Sequence, residues 1–187
     1  MVELEGLLPR DNVVVVLVDI QEKLFPHIDG NEALLTNAQK LVNFCQRLNI
    51  PMIVTEQYPK GLGVTLPALQ EVLAGAYQPI TKTVFSCFGA PEFIEALDAV
   101  DADTVVLAGI ETHICVLQTA LVGVGSEDYD MVVLADCVGS RRRMDHDLGL
   151  HRMRDEGAGI ATMEMFFYEM LGAAKTEEHK AVFDLLK

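Results

Sequence analysis

Basic residues are scarce in this chain. Lys and Arg number 14 against 28 Asp and Glu, a formal net charge of −14 over 187 residues. A surface of that sign repels phosphate backbones, so nucleic-acid binding is not expected. The only basic run, Arg141 to Arg143, is too short to build a groove. Long apolar runs are lacking too. The longest near the start is Val13 to Val18, ended by Asp19, whereas a bilayer span needs about 20 residues. No charged start with a small-residue cleavage site marks a secretory leader. The expectation is a cytoplasmic protein with no membrane partner. No C-x-x-C pair occurs among Cys45, Cys87, Cys115 and Cys137, which argues against a zinc knuckle or a thioredoxin-type site. In the cytosol these are free thiols. No Walker sequence is present. Gly123, Val124 and Gly125 follow a helical pattern and lack a third glycine, so they do not form a dinucleotide loop.

What is present is a globular composition, 50% hydrophobic, with no low-complexity segment or linker. It reads as a single domain over residues 1–187. Short apolar runs alternate with helical patterns. Val13 to Val18 has no polar alternation and reads as a strand buried on both faces. Further strands are expected at Met52–Thr55, Ile80–Thr83, Thr104–Ala108, Met131–Ala135 and Ile160–Thr162. Between them, Leu34, Ala38, Leu41 and Cys45 recur at helical spacing, and Leu66–Leu73 reads as a short helix. Pro91 sits where a first helical turn begins. Thr112 is placed to cap a helix to about Val124, and Ser140 one to about Glu156. A C-terminal helical region includes the apolar stretch Met163 to Leu171, which either covers the core or forms an interface. The pattern implies a three-layer α/β/α domain with six mostly parallel strands. Ligands of such sheets bind beyond the carboxyl ends of the strands, where the strand order reverses.

Three residues at those ends invite chemistry. Asp19 directly follows six apolar residues, where a carboxylate is costly unless it is solvated, paired or functional. Lys82 lies in a strand run, where lysine is seldom placed without a partner; alternatively, the strand is an edge with its ammonium in water. Cys115 follows the Thr104 run and falls in a first helical turn, where unpaired N–H groups favour a thiolate; alternatively, it is a packed free cysteine. Together they form a coherent set. A thiol needs a base or a lowered pKa to attack a carbonyl, an Asp can shuttle its proton, and a Lys stabilises both charges.

At these residues the sequence resembles the isochorismatase-like, or cysteine hydrolase, superfamily, over roughly Asn12 to Leu171. Asp19-Ile20-Gln21 with Phe25 resembles the first-strand motif. Lys82-Thr83 with Phe85-Ser86 resembles the lysine motif. Gly109-Ile110-Glu111-Thr112-His113-Ile114-Cys115-Val116 resembles the nucleophile motif. The stretch Thr55 to Gly63 is similar to a branch of small isochorismatase-domain proteins. The resemblance implies an Asp19, Lys82 and Cys115 triad that hydrolyses a small molecule. It also implies a non-proline cis peptide at Ile110–Glu111, an oxyanion hole from the backbone N–H groups of Glu111 and Cys115, and homo-oligomers, dimers or tetramers.

Two departures narrow the substrate. The Asp-x-His metal motif of nicotinamidases is replaced by Thr55-Glu56-Gln57, and no histidine lies between His27 and His113. No metal and no cofactor are therefore expected. Vinyl-ether hydrolysis of the isochorismatase type needs no thiol, so Cys115 favours attack at a C–N bond such as an amide or ureido group. The alternatives are another bond, including a vinyl ether, a non-catalytic binding or regulatory protein, and thiol redox chemistry with Cys87 or Cys137 as partner. Gln21, Phe25, Tyr58 and His113 are candidates for the pocket wall. His113, two positions from Cys115, points to a different helix face. Arg141 to Arg143 are expected to pair with Asp145 and Asp147 one turn on; alternatively, they meet an anionic partner such as a ligand carboxylate.

Overall fold

The computed structural model describes residues 7–186. Its centre is a six-stranded, all-parallel sheet in the order β3-β2-β1-β4-β5-β6. The strands are β1 (Val13–Val18), β2 (Met52–Gln57), β3 (Ile80–Lys82), β4 (Thr104–Ile110), β5 (Asp130–Gly139) and β6 (Gly159–Ala161). The helices are α1 (Asn31–Leu48), α2 (Pro59–Leu62), α3 (Pro67–Leu73), α4 (Pro91–Ala99), α5 (Leu117–Ser126), α6 (Arg143–Asp155), α7 (Met163–Leu171) and α8 (Glu177–Val182).

The reason for the unbroken apolar run in β1 is visible in its packing. Val13, Val15 and Leu17 face a core built with α1, α3, α7 and α8. Val14, Val16 and Val18 face a second core built with α4, α5 and α6. Successive side chains of a strand point to opposite faces, so a central strand between two helical layers has no face to leave polar. α7 covers the first core rather than remaining free. Phe167 stacks on Phe44 of α1 with ring centroids 3.8 Å apart. Among the described residues, no helix is long and apolar enough to cross a membrane.

Chain order sets the position of the site. β1, β2 and β3 are laid down outward in one direction, and the chain then returns through α4 to place β4 on the other side of β1. The order therefore reverses between β1 and β4, the place where sheets of this kind bind ligands beyond the carboxyl ends of their strands. Gly109 makes the close approach possible. Its φ is +118°, and a Cβ there would be driven into the backbone of Val18. Only glycine reaches that conformation without a steric penalty.

Two helix starts differ from the sequence expectation. Thr112 does not cap a helix. It opens a π-helical turn, Thr112–Val116, that runs into α5. Ser140 lies before α6, which begins at Arg143 with Arg142 at the cap position. Both hydroxyls are committed elsewhere, to His146 and His113 respectively. They are engaged across the fold rather than with the local N–H groups that capping would use.

Candidate active site

Asp19 is the first residue past β1. It adopts a left-handed conformation at φ +51°, and its N–H donates to the Thr55 carbonyl at 3.1 Å. The carboxylate is fully buried at the carboxyl end of the sheet. Both oxygens are held. Oδ1 accepts from Thr55 Oγ at 2.7 Å, and Oδ2 accepts from Lys82 Nζ at 2.6 Å.

Lys82 closes β3 and pairs in register with Gln57. Its side chain reaches past β2 to Asp19. The ammonium also donates to Gln57 Oε1 at 3.0 Å and to the Phe85 carbonyl at 3.1 Å, with the Val84 carbonyl at 3.4 Å. Neither side chain of the Asp19–Lys82 pair is accessible to solvent. The edge-strand alternative, with the ammonium in water, is therefore not what the fold builds. A buried ion pair is tolerated when further hydrogen bonds satisfy both partners; here the ammonium has several acceptors and each carboxylate oxygen has a donor. Burial alone would push the Lys82 ammonium down. The negative charge of Asp19, with the Cys87 and Cys115 sulfurs, overrides it and raises the pKa.

Cys115 lies in the π turn after β4 and is 5% exposed. It is close enough to Asp19 and Lys82 to be influenced by both. Burial pushes its thiol up, the Asp19 carboxylate pushes it further by charge and hydrogen bonding, and Lys82 opposes. The net shift is upward, so the resting group is a thiol. Sequence position alone pointed to a thiolate, and burial beside a carboxylate reverses that expectation. Cys87 is fully buried nearby, its Sγ 4.0 Å from Thr55 Oγ. Burial chiefly pushes it up to about 11, with Lys82 opposing. Cys45 of α1 and Cys137 of β5 are both buried in the first core. All four cysteines are free.

The peptide between Ile110 and Glu111 is cis. The carbonyl of Glu111 accepts from the N–H groups of Ile114 and Val116. Its own N–H is taken by no backbone carbonyl of the described residues. The Glu111 side chain, 5% exposed, accepts from the Arg141 N–H at 2.9 Å and from Arg141 Nε at 3.0 Å. This corrects the expected partners of the arginine run. Arg143 does pair with Asp147, but Arg141 reaches back across β5 to Glu111.

The candidate wall residues divide. Gln21 is fully buried, and its amide is spent on backbone. It donates to the carbonyls of Gln57 and Gly63 and accepts from the Gln57 N–H. It braces two loops instead of lining a pocket. Phe25 joins the α1 core. Tyr58, at φ +39° and 53% exposed, stands at the rim with its ring over Gly61. His113 is half-buried and shares a hydrogen bond with Ser140 Oγ at 2.9 Å. Sequence reasoning missed three supporting residues. Thr55 and Gln57 fix the ion pair, and Thr119 donates to the Cys115 carbonyl while accepting from the Cys87 N–H. The signal for Thr55 and Gln57 was present, since both are polar residues in the last half of a buried strand. Among the described residues, no group of three or more His, Cys, Asp or Glu is arranged to hold a metal ion.

Comparison with known proteins shows what the chain as a whole is similar to. Residues 13–165 match the isochorismatase domain family. Isochorismatase domain-containing protein 2 of Xenopus laevis is 38% identical over 178 residues, covering 95% of this chain and 84% of the frog protein. Isochorismatase family protein 1B of Dictyostelium discoideum is 31% identical, covering 100% of this chain and 92% of its own length. Among solved structures, one from Caenorhabditis elegans, described as MAR1 ribonuclease, superposes with a TM-score of 0.88 at 34% identity. That match covers 97% of this chain and 92% of the nematode one. The YcaC gene product of Escherichia coli, described as an octameric hydrolase of unknown specificity, shares the fold with a TM-score of 0.88 at 22% identity. It covers 96% of this chain and 90% of its own.

Proposed function

The chain belongs to the isochorismatase family, and from that premise we propose that it is a cysteine hydrolase acting on a C–N bond of a small molecule. The observation that carries the reading is a thiol set in a helical turn beside a fully buried Asp–Lys pair, at the point where strand order reverses.

In this reading Cys115 Sγ attacks the substrate carbonyl carbon and its proton passes to Asp19. The oxyanion is received by the backbone N–H groups of Glu111 and Cys115. Asp19 then delivers that proton to the departing nitrogen. The C–N bond breaks, an amine leaves, and the acyl group remains on sulfur as a thioester. Water attacks the thioester, its proton goes to Asp19, and the acid departs as the thiol is restored. Lys82 holds the Asp19 carboxyl group in place between steps through its hydrogen bond to Oδ2. A protonated resting thiol suits this scheme, because base and nucleophile must then meet in one concerted transfer.

The nematode neighbour's description as a ribonuclease raises RNA as a substrate. A net charge of −14 opposes a polyanion, and the Lys82 ammonium is already spent on internal acceptors. We also read the protein as a cytoplasmic homo-oligomer. Four free cysteines support the compartment. Met144 and Leu148, exposed one turn apart on α6, support a contact surface.

The test incubates the protein with a panel of neutral amides and ureido compounds, with RNA alongside, and traps intermediates with hydroxylamine. A hydroxamate product and an acyl mass on Cys115, both lost in Cys115→Ser, are expected. Cleavage of RNA that survives Cys115→Ser, with no acyl adduct from any amide, would overturn the reading.

A further inference from the structure

The residues that open the nucleophile turn are each tied to the segment after β5. Glu111 is held by Arg141, Thr112 Oγ shares a hydrogen bond with His146 Nδ1 at 3.0 Å, and His113 shares one with Ser140. That segment is itself anchored, since the Ser140 carbonyl accepts from the Asp29 N–H at 3.0 Å. Of these three ties only that of Glu111 is ionic, and of these three residues only Glu111 carries one of the two N–H groups assigned above to the oxyanion. The tie is two-point. The Arg141 main-chain N–H and Nε converge on one carboxylate, which fixes its rotation as well as its position. The Arg141 side chain is 57% exposed, so the clamp reaches a buried carboxylate from the surface. Glu111 is nearly buried, so the orientation of its peptide is sensitive to the clamp.

We propose that Arg141 is a positioning residue for the hydrolytic reaction, acting through the Glu111 carboxylate to aim the Glu111 N–H at the developing oxyanion. This rests on the cysteine-hydrolase reading. An oxyanion donor matters only where charge develops on a carbonyl oxygen. Arg141 is therefore felt when Cys115 is acylated and not when it is alkylated, because alkylation by iodoacetamide displaces iodide at carbon and builds no oxyanion.

The experiment compares two rates at Cys115. One is acylation by p-nitrophenyl acetate, followed by nitrophenolate release and the acetyl mass. The other is alkylation by iodoacetamide. Loss of one oxyanion donor costs about 10²–10³-fold, and a misaimed donor costs less. Arg141→Ala is expected to lower acylation about 10- to 100-fold while alkylation stays within about twofold. Arg141→Lys is expected to recover part of the loss. In a Glu111→Ala background, Arg141→Ala should add no further loss. Equal acylation in wild type and Arg141→Ala overturns the proposal alone, and so does a parallel fall in both rates, which marks a general structural role. If wild type acylates no faster than Cys115→Ser while Cys115 still alkylates, the hydrolase reading fails and the positioning role fails with it.

Discussion

Replacing Asp19 with asparagine should make Cys115 more reactive toward an alkylating agent while destroying its value as a catalyst. The structure gives the argument its sign. The Asp19 carboxylate raises the Cys115 thiol by charge and by hydrogen bonding, and Lys82 lowers it. Removing the carboxylate leaves the ammonium to act alone. Two unit charges about 5 Å apart at an effective dielectric constant of about 20 interact by about 3 kcal/mol, or about two pKa units. The thiolate fraction at neutral pH then rises about 100-fold. A less basic thiolate is a poorer nucleophile, with a Brønsted coefficient of about 0.4–0.5, so the net gain is about tenfold. Acyl turnover of an amide should fall by about 10²–10⁴, because the proton shuttle is gone. The assay is iodoacetamide labelling across pH 6–10, read at each cysteine by mass spectrometry, with buried Cys45 as the internal control. Wild-type labelling of Cys115 should still be rising beyond pH 9, since a raised acid pKa delays the thiolate. Asparagine keeps the Thr55 contact and an oxygen for Lys82 but leaves the ammonium without its charge partner, so a loss of about 3–5 kcal/mol is expected; circular dichroism checks that the labelled protein is folded. A folded Asp19→Asn that labels no faster than wild type refutes the electrostatic reading.

Other outcomes follow from the same geometry. Lys82→Met should slow Cys115 labelling about tenfold and, by leaving Asp19 buried without its partner, cost about 3–5 kcal/mol in urea unfolding. Thr55→Val deprives Asp19 Oδ1 of its donor, and a loss of about 1–3 kcal/mol with reduced turnover is expected. Gly109→Ala places a Cβ against the Val18 backbone at positive φ; a loss above about 3 kcal/mol, or no folded protein, should appear in the same assay. Stability should also fall at high pH. The buried thiols of Cys45, Cys87, Cys115 and Cys137 all have raised pKa values. Their contribution is complete below the unfolded thiol pKa of about 8.5 and is lost as pH rises from there toward the folded values. The loss reaches about 1.4 kcal/mol per pH unit for each. Unfolding midpoints that stay flat from pH 8 to 10 would contradict this.

Residue type carried the sheet and the central residues into view. An unbroken apolar run can only be a strand covered on both sides, and a lysine or aspartate set against such runs stands out by its cost. The strand boundaries were seen short, at Thr55, Ala108 and Ala135, because the later residues Gln57 and Gly139 are held by backbone pairing that side-chain pattern does not register. The caps were misread because Thr112 and Ser140 had more than one hydrogen-bond option, and the choice between them was made by His146 and His113 across the fold. The Arg141–Glu111 pair spans 30 positions and has no local signature; Asp145 and Asp147 offered nearer partners. The protonation state of Cys115 was beyond sequence reasoning for a similar reason. It depends on depth of burial, which no spacing rule reports.

The thinnest element of the sheet carries one of the most deeply buried charges. β3 is three residues long, lies at the edge and pairs only with β2, yet it delivers Lys82 to Asp19. Edge strands open at lower free energy than central ones. Such an opening would carry the ammonium away while β1 and β4 stayed closed around Asp19 and Cys115. On the cysteine-hydrolase reading proposed above, the protein would then pass through states that are folded by every bulk probe but lack Lys82 at the site. Inactivation on mild warming or in dilute urea should precede loss of the helical signal, and amide exchange at Ile80–Lys82 should track it. On that reading, working lifetime would be set by the grip of one short strand, not by the stability of the whole.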